Sequence, residues 1–131
     1  MKHLLIVTAI IELGAGLALL CCPSASAALL LGVPLDSPAA LTVARLGGAG
    51  LLALGVACWL ARCDAQSRAA RGLASAMVLY NLGAVVILGA AGIRFRPVGV
   101  ALWPAVVLHS AMTAWCIVSL RSAKPGGETR S

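Results

Sequence analysis

The stretch from Leu4 to Leu20 reads LLIVTAIIELGAGLALL, an apolar run in which Glu12 is the single charge. A helix needs about 20 apolar residues, at 1.5 Å each, to cross a bilayer core. This run and its flanks, His3 to Cys22, meet that length. Working outward, three more windows qualify: Ala39–Ala61, Gly72–Gly92 and Val98–Leu120. The chain of 131 residues is 61% hydrophobic and 11% charged. Soluble domains carry roughly 45–50% apolar and about 25% charged residues, so a soluble fold of this length could not hide so much apolar surface. The expected fold is all-α: an integral membrane protein of four transmembrane helices in an up-down antiparallel bundle, since short connections make sequential helices antiparallel neighbours. Residues 1–121 form its single domain. The lipid bilayer is its first partner, and a homo-oligomer or a partner in a membrane complex is a further expectation.

The net charge of +6 would point to nucleic acid in a soluble protein, but here the basic residues flank the apolar windows. Lys2, Arg62, Arg68, Arg71, Arg121, Lys124 and Arg130 fall on one side of a four-span arrangement, whereas Arg94 and Arg96 fall on the other. By the positive-inside rule, both termini are expected in the cytoplasm of a bacterial cell, with the bundle in the inner membrane. No RNA-binding pattern and no Gly-rich phosphate loop accompanies these charges, so nucleic acid is not expected as a partner. Trp103 near the outer end of the last span, and Trp59 and Trp115 near inner ends, fit the interfacial belts.

Between the first two windows, Ser24–Leu31 is too short to span. It reads as a turn or two of helix at the outer interface, ended by Gly32 and Pro34. Ser37 followed by Pro38 reads as the cap and first helical position of the second span. The tail, residues 122–131 with Pro125-Gly126-Gly127, reads as a disordered cytoplasmic extension. A competing reading of the N-terminus takes Lys2, the apolar run and Ala25-Ser26-Ala27 as a cleaved secretory signal. Glu12 and the length of the run argue against it. Span one holds ten Leu, Ile or Val residues, each worth about −0.3 to −0.6 kcal/mol, against roughly 3 kcal/mol for one acid.

Charged side chains at bilayer depth are rare and mark partners, cavities or sites. Each span carries one strongly polar residue: Glu12, Arg45, Asn81 and His109. Counted from the helix ends, Glu12, Asn81 and His109 fall near the midplane, with Arg45 about 5 Å nearer the outer surface. Two readings are open. In one, the four line a pocket in which Glu12 binds a cation or titrates and His109 relays a proton or orients a ligand. In the other, Glu12 pairs with Arg45 while Asn81 and His109 hydrogen-bond across helices as glue. Burial and a nearby guanidinium push a carboxyl in opposite directions, so the sequence leaves the choice open. Glu12, Arg45 and Asn81 are each followed by Leu-Gly, which suggests close backbone approach around a polar centre. Gly48 with Gly55, Ala76 with Gly83 and Ala90, and the Ala49, Ala53, Ala57 ridge read as packing surface. Pro104 is expected to kink the last span a turn before His109.

Cys21-Cys22 are adjacent, while Cys58, Cys63 and Cys116 lie toward the opposite side. Neither CxxC nor zinc-ligand spacing occurs, and cysteine reads as a small apolar residue. No metal and no cofactor is expected. Nucleophile elbows and paired-Asp motifs are missing, so the enzyme assignment stays open with a non-enzymatic protein favoured.

The stretches LTVARLGGAGLLALGVACW (Leu41–Trp59) and WPAVVLHSAMTAW (Trp103–Trp115) resemble those of small four-helix bacterial inner-membrane proteins, which implies a four-helix fold and no assigned activity. A glutamate midway along the first of four helices is also similar to the organisation of small multidrug resistance transporters. There it exchanges protons for cations in an antiparallel homodimer. Arg45 has no counterpart in those transporters, and their second- and third-helix motifs are missing here. The leading expectation is a non-enzymatic accessory or ligand-binding membrane subunit with a buried polar cluster. The alternatives are a proton-coupled small-molecule transporter acting as an oligomer, and a membrane-embedded enzyme on a lipophilic substrate with Glu12 and His109 as acid and base.

Overall fold

Capping chemistry sets the helix boundaries in the computed structural model, which describes residues 1–95 and 98–122. Helix α1 covers Lys2–Cys21. A short α2, Pro23–Leu31, starts with proline at its first position and ends at Gly32, whose φ of 79° is the left-handed cap that glycine alone adopts without strain. Helix α3, Pro38–Ala61, is capped by Ser37, whose hydroxyl accepts from the Ala40 N–H at 3.1 Å. A 3-10 turn at Arg62–Asp64 leads to α4, Arg68–Arg94, capped in the same way by Ser67. Helix α5, Leu102–Ser122, is the last of the described elements.

The described residues contain helices and no strand, and four of the five α-helices are long and apolar enough to cross a membrane. The short segment expected between the first two windows is the helix α2, ended at Gly32 as its punctuation suggests. The third and fourth spans are displaced from the windows read in the sequence. Helix α4 begins at Arg68, because the Ser67 cap starts it a turn before the apolar window, and it runs through Arg94. Helix α5 begins at Leu102 rather than Val98. Pro104 therefore lies in the first turn of α5, where the backbone N–H has no intrahelical acceptor in any case. The expected mid-helix kink does not arise there. The tail expected to be disordered lies, from residue 123 onward, outside the described residues, as does Arg96.

The helices associate as two pairs. Helix α1 packs along α3 and α4 along α5, while contact between the pairs is much sparser. Glycine draws the first pair together. A Cβ on Gly16 would lie 2.8 Å from the Gly48 carbonyl oxygen, and one on Gly48 would lie 2.8 Å from that of Gly16. A Cβ on Gly55 would lie 2.8 Å from Leu13 Cγ and 3.0 Å from the Leu13 backbone nitrogen. The two pairs join through one core of Leu4, Leu5 and Ala9 from α1, Cys58 from α3, Ala70 and Met77 from α4, and Met112 and Cys116 from α5. This core uses the first halves of α1 and α4 and the last halves of α3 and α5. Toward the other end the pairs separate, and α2 sits there. Its Leu29 carbonyl accepts from the Ala101 N–H at 2.9 Å, and Gly99 lies so close beneath that carbonyl that no side chain fits.

Candidate functional site

Where the pairs separate they leave a cleft of about 610 Å³. Its walls are mostly apolar, lined among others by Ile11, Leu19, Leu30, Leu51, Ile87 and Leu108, with Ala84 and Gly83 also in the lining. Three polar side chains line it: Glu12 from α1, Tyr80 from α4 and His109 from α5. They stand beside the joining core, at the end of the cleft remote from α2. Glu12 is the only charged residue among the described lining residues. The size is that of an ordinary small-molecule site, and an apolar wall with a few converging polar groups is its usual make-up.

Hydrogen bonds hold these polar groups in place. The Tyr80 hydroxyl comes close enough to the Glu12 carboxylate, across the gap between the two helix pairs, to interact with it as a hydrogen-bond donor. The Tyr80 ring meets the His109 ring edge-on, with centroids 5.8 Å apart at 80°. His109 Nδ1 lies 2.7 Å from Asn81 Oδ1, and Asn81 Nδ2 donates to the Met77 carbonyl at 2.7 Å. That second bond fixes the first. The Asn81 amide nitrogen is spent on a carbonyl, so its oxygen faces the ring and must accept, and His109 Nδ1 carries the hydrogen. A neutral His109 therefore has its lone pair on Nε2. Asn81 itself is 1% exposed and does not line the cleft; it orients His109 from behind.

Of the four polar residues singled out from the sequence, Glu12, Asn81 and His109 come together in one network, and the Asn81–His109 bond is the cross-helix contact expected of them. Arg45 does not join it. Its side chain is exposed on α3, and no ion pair among the described residues links it to Glu12. Register explains the separation. Gly55 opposite Leu13 and Gly48 opposite Leu19 and Leu20 bring Glu12 level with Val56 of α3. Arg45 is eleven residues earlier in that helix, about 16 Å along the axis. The glycines after the polar residues also fail the expectation placed on them: a Cβ on Gly14, Gly47 or Gly83 would meet nothing within 4 Å. Two residues along a helix turn the chain by roughly 200°, so a glycine at that offset faces away from its polar neighbour's contacts. The glycines that do bring backbones together are Gly16, Gly48 and Gly55.

Tyr80 is the member that the sequence reading missed. The signal for it was present: it is the chain's one tyrosine, in an apolar span, beside Asn81. A buried phenol ordinarily finds a partner for its hydroxyl, and here that partner is Glu12. Thr8, one turn before Glu12 and 1% exposed, has the only buried side-chain polar atom without a hydrogen-bond partner among the described residues. Cys58 and Cys116 are buried in the joining core, whereas Cys21, Cys22 and Cys63 are exposed. Among the described residues no three His, Cys, Asp or Glu side chains are grouped to hold a metal ion. Comparison with known protein families, with curated proteins and with solved structures finds no match to this chain.

Proposed function

We propose that this chain is a ligand-binding protein of the bacterial inner membrane, non-enzymatic, whose cleft receives the apolar chain of a membrane-borne molecule and brings its polar head to Glu12, Tyr80 and His109. The observation that carries this reading is the cleft itself: about 610 Å³, walled by aliphatic side chains and ending in one hydrogen-bonded polar cluster. A ligand with an apolar tail and a compact head matches both parts. A role confined to holding helices together would require no cavity beside the cluster. The antiparallel up-down arrangement belongs to this proposal, supported by the opposed order of contacts along α1 and α3, where Leu13 meets Gly55 while Leu19 meets Gly48. Membrane insertion is supported by outward-facing Val43, Leu46, Leu60 and Ile93, each 67–76% exposed. Cytoplasmic termini follow from the basic residues at the start of α1, around the α3–α4 turn and at the end of α5.

A photoreactive alkyl alcohol, carrying a diazirine in its chain, tests the reading in reconstituted protein. Labelling is expected at residues 79–88 and 105–109, and Gly83→Leu should suppress it, because Gly83 lines the cleft and a Cβ there meets no neighbour within 4 Å, so the added side chain takes up cleft space. Labelling spread evenly over outward residues such as Leu46 and Ile93, and unaffected by Gly83→Leu, would reject the proposal.

A further inference from the structure

Counting donors and acceptors in the cleft identifies the head group. Tyr80 turns its single hydrogen toward Glu12, the group its hydroxyl interacts with. His109 spends its Nδ1 hydrogen on Asn81, and Asn81 spends an amide hydrogen on Met77. What remains on these three cleft-lining side chains is the unspent acceptor capacity of the Glu12 carboxylate, the Tyr80 oxygen and His109 Nε2. With Glu12 ionised no donor is left over, and with Arg45 about 16 Å distant along α3 the carboxylate has no cationic partner among the described residues. A site made only of acceptors, with one anion and apolar walls, recognises a head that donates hydrogen bonds and carries positive charge. Resting on the cleft-binding reading above, we infer that the ligand is an amphiphile with a primary ammonium head, seated between Glu12 and His109 with its alkyl chain along Leu19, Leu51 and Ile87.

The competing heads meet this floor badly. A carboxylate or phosphate head would face an anion and lone pairs with nothing to donate. A hydroxyl offers one hydrogen and no charge. A trimethylammonium head carries the charge but has no hydrogen to give, and its three methyl groups keep it further from the carboxylate oxygen. The ammonium's three hydrogens match the three acceptors. Two natural sources carry this head on an apolar chain: a free long-chain amine, and a phospholipid of the ethanolamine type.

Binding to the full-length protein in phosphatidylcholine nanodiscs, corrected by empty nanodiscs, provides the test. The probes are dodecylamine, dodecyltrimethylammonium, dodecanol and dodecanoate. Dodecylamine is expected to bind tightest, by about 10-fold or more over dodecanol, the difference that a charged hydrogen bond supplies. Glu12→Gln should weaken dodecylamine by about 10- to 100-fold while dodecanol changes little. Gly83→Leu should reduce all four, and thermal unfolding of each variant confirms that the fold persists. Replacing part of the phosphatidylcholine by phosphatidylethanolamine separates the sources: competition with dodecylamine supports the lipid as the ammonium donor, and undiminished dodecylamine binding supports the free amine. Dodecanol or dodecanoate binding as well as dodecylamine, or dodecylamine binding unchanged by Glu12→Gln, would overturn the ammonium assignment and leave the cleft reading standing. No binding by any probe above empty nanodiscs, or binding insensitive to Gly83→Leu, would overturn both.

Discussion

Alanine at Gly16 should separate α1 from α3, and the size of the effect can be worked out from the interface. A Cβ there would sit 2.8 Å from the Gly48 carbonyl oxygen and 2.9 Å from the Leu52 backbone nitrogen. Both neighbours are backbone, so no rotamer change relieves the contact, and the helices must move apart by roughly 0.5 Å to restore ordinary spacing. Overpacking of this kind costs about 1–3 kcal/mol. Replacing glycine by alanine inside a helix returns about 0.8–1 kcal/mol, which leaves a net loss of up to about 2 kcal/mol. Gly48→Ala should behave alike, since its Cβ would meet the Gly16 carbonyl at 2.8 Å. The double variant should lose less than the sum, because one separation relieves both contacts. Gly14 and Gly47 are the controls: with nothing within 4 Å, their alanine variants should be neutral or more stable. Thermal unfolding in a mild detergent, followed by the loss of folded monomer, measures the series. Equal stability of Gly16→Ala and Gly14→Ala would refute the close-approach reasoning, as would strict additivity of the double variant.

Other consequences are simpler to state. A double-mutant cycle of Glu12→Gln with Tyr80→Phe should give a coupling of about 1–2 kcal/mol, whereas Glu12→Gln with Arg45→Gln should give less than about 0.5 kcal/mol; a reversed order would return Arg45 to the site. Thr8→Val removes a buried hydroxyl that has no partner and keeps the side-chain shape, so unfolding should show unchanged or raised stability, by up to about 1 kcal/mol; a clear loss would mean that the hydroxyl bonds to something. Pro104→Ala should change stability by less than about 1 kcal/mol, because the residue lies in the first turn of α5; a large effect would show that Pro104 shapes the helix.

The four long helices and the short α2 were legible in the sequence because each rests on local signals: windows of apolar length, Ser37-Pro38, and Gly32. The same holds for the convergence of Glu12, Asn81 and His109, which share a depth. What depth could not convey was which face and which register each helix presents. Arg45 looked like a partner for Glu12 because both are charges within a few ångströms of one level. The Gly55–Leu13 contact instead sets the register so that Arg45 lies near the end of α1. The Leu-Gly pairs misled for a related reason, since adjacency in sequence is not adjacency around a helix. Tyr80 went unread because tyrosine in a membrane chain is expected at the interfaces, and its inward role depends on α4 facing α1 across a gap. The cleft is legible only in three dimensions: it exists because α1–α3 and α4–α5 each pack tightly as pairs and meet chiefly through the core around Met77 and Cys116.

Native mass spectrometry of the protein released gently from the membranes in which it is made tests the central claim most directly. The wild-type chain should retain a small amphiphile, about one per chain. Gly83→Leu, which adds a side chain to the cleft from α4 at a position where a Cβ meets no neighbour within 4 Å, should lose it while remaining folded. An identical spectrum of bound molecules in the two proteins, or none in either, would contradict the claim that this cleft is a binding site.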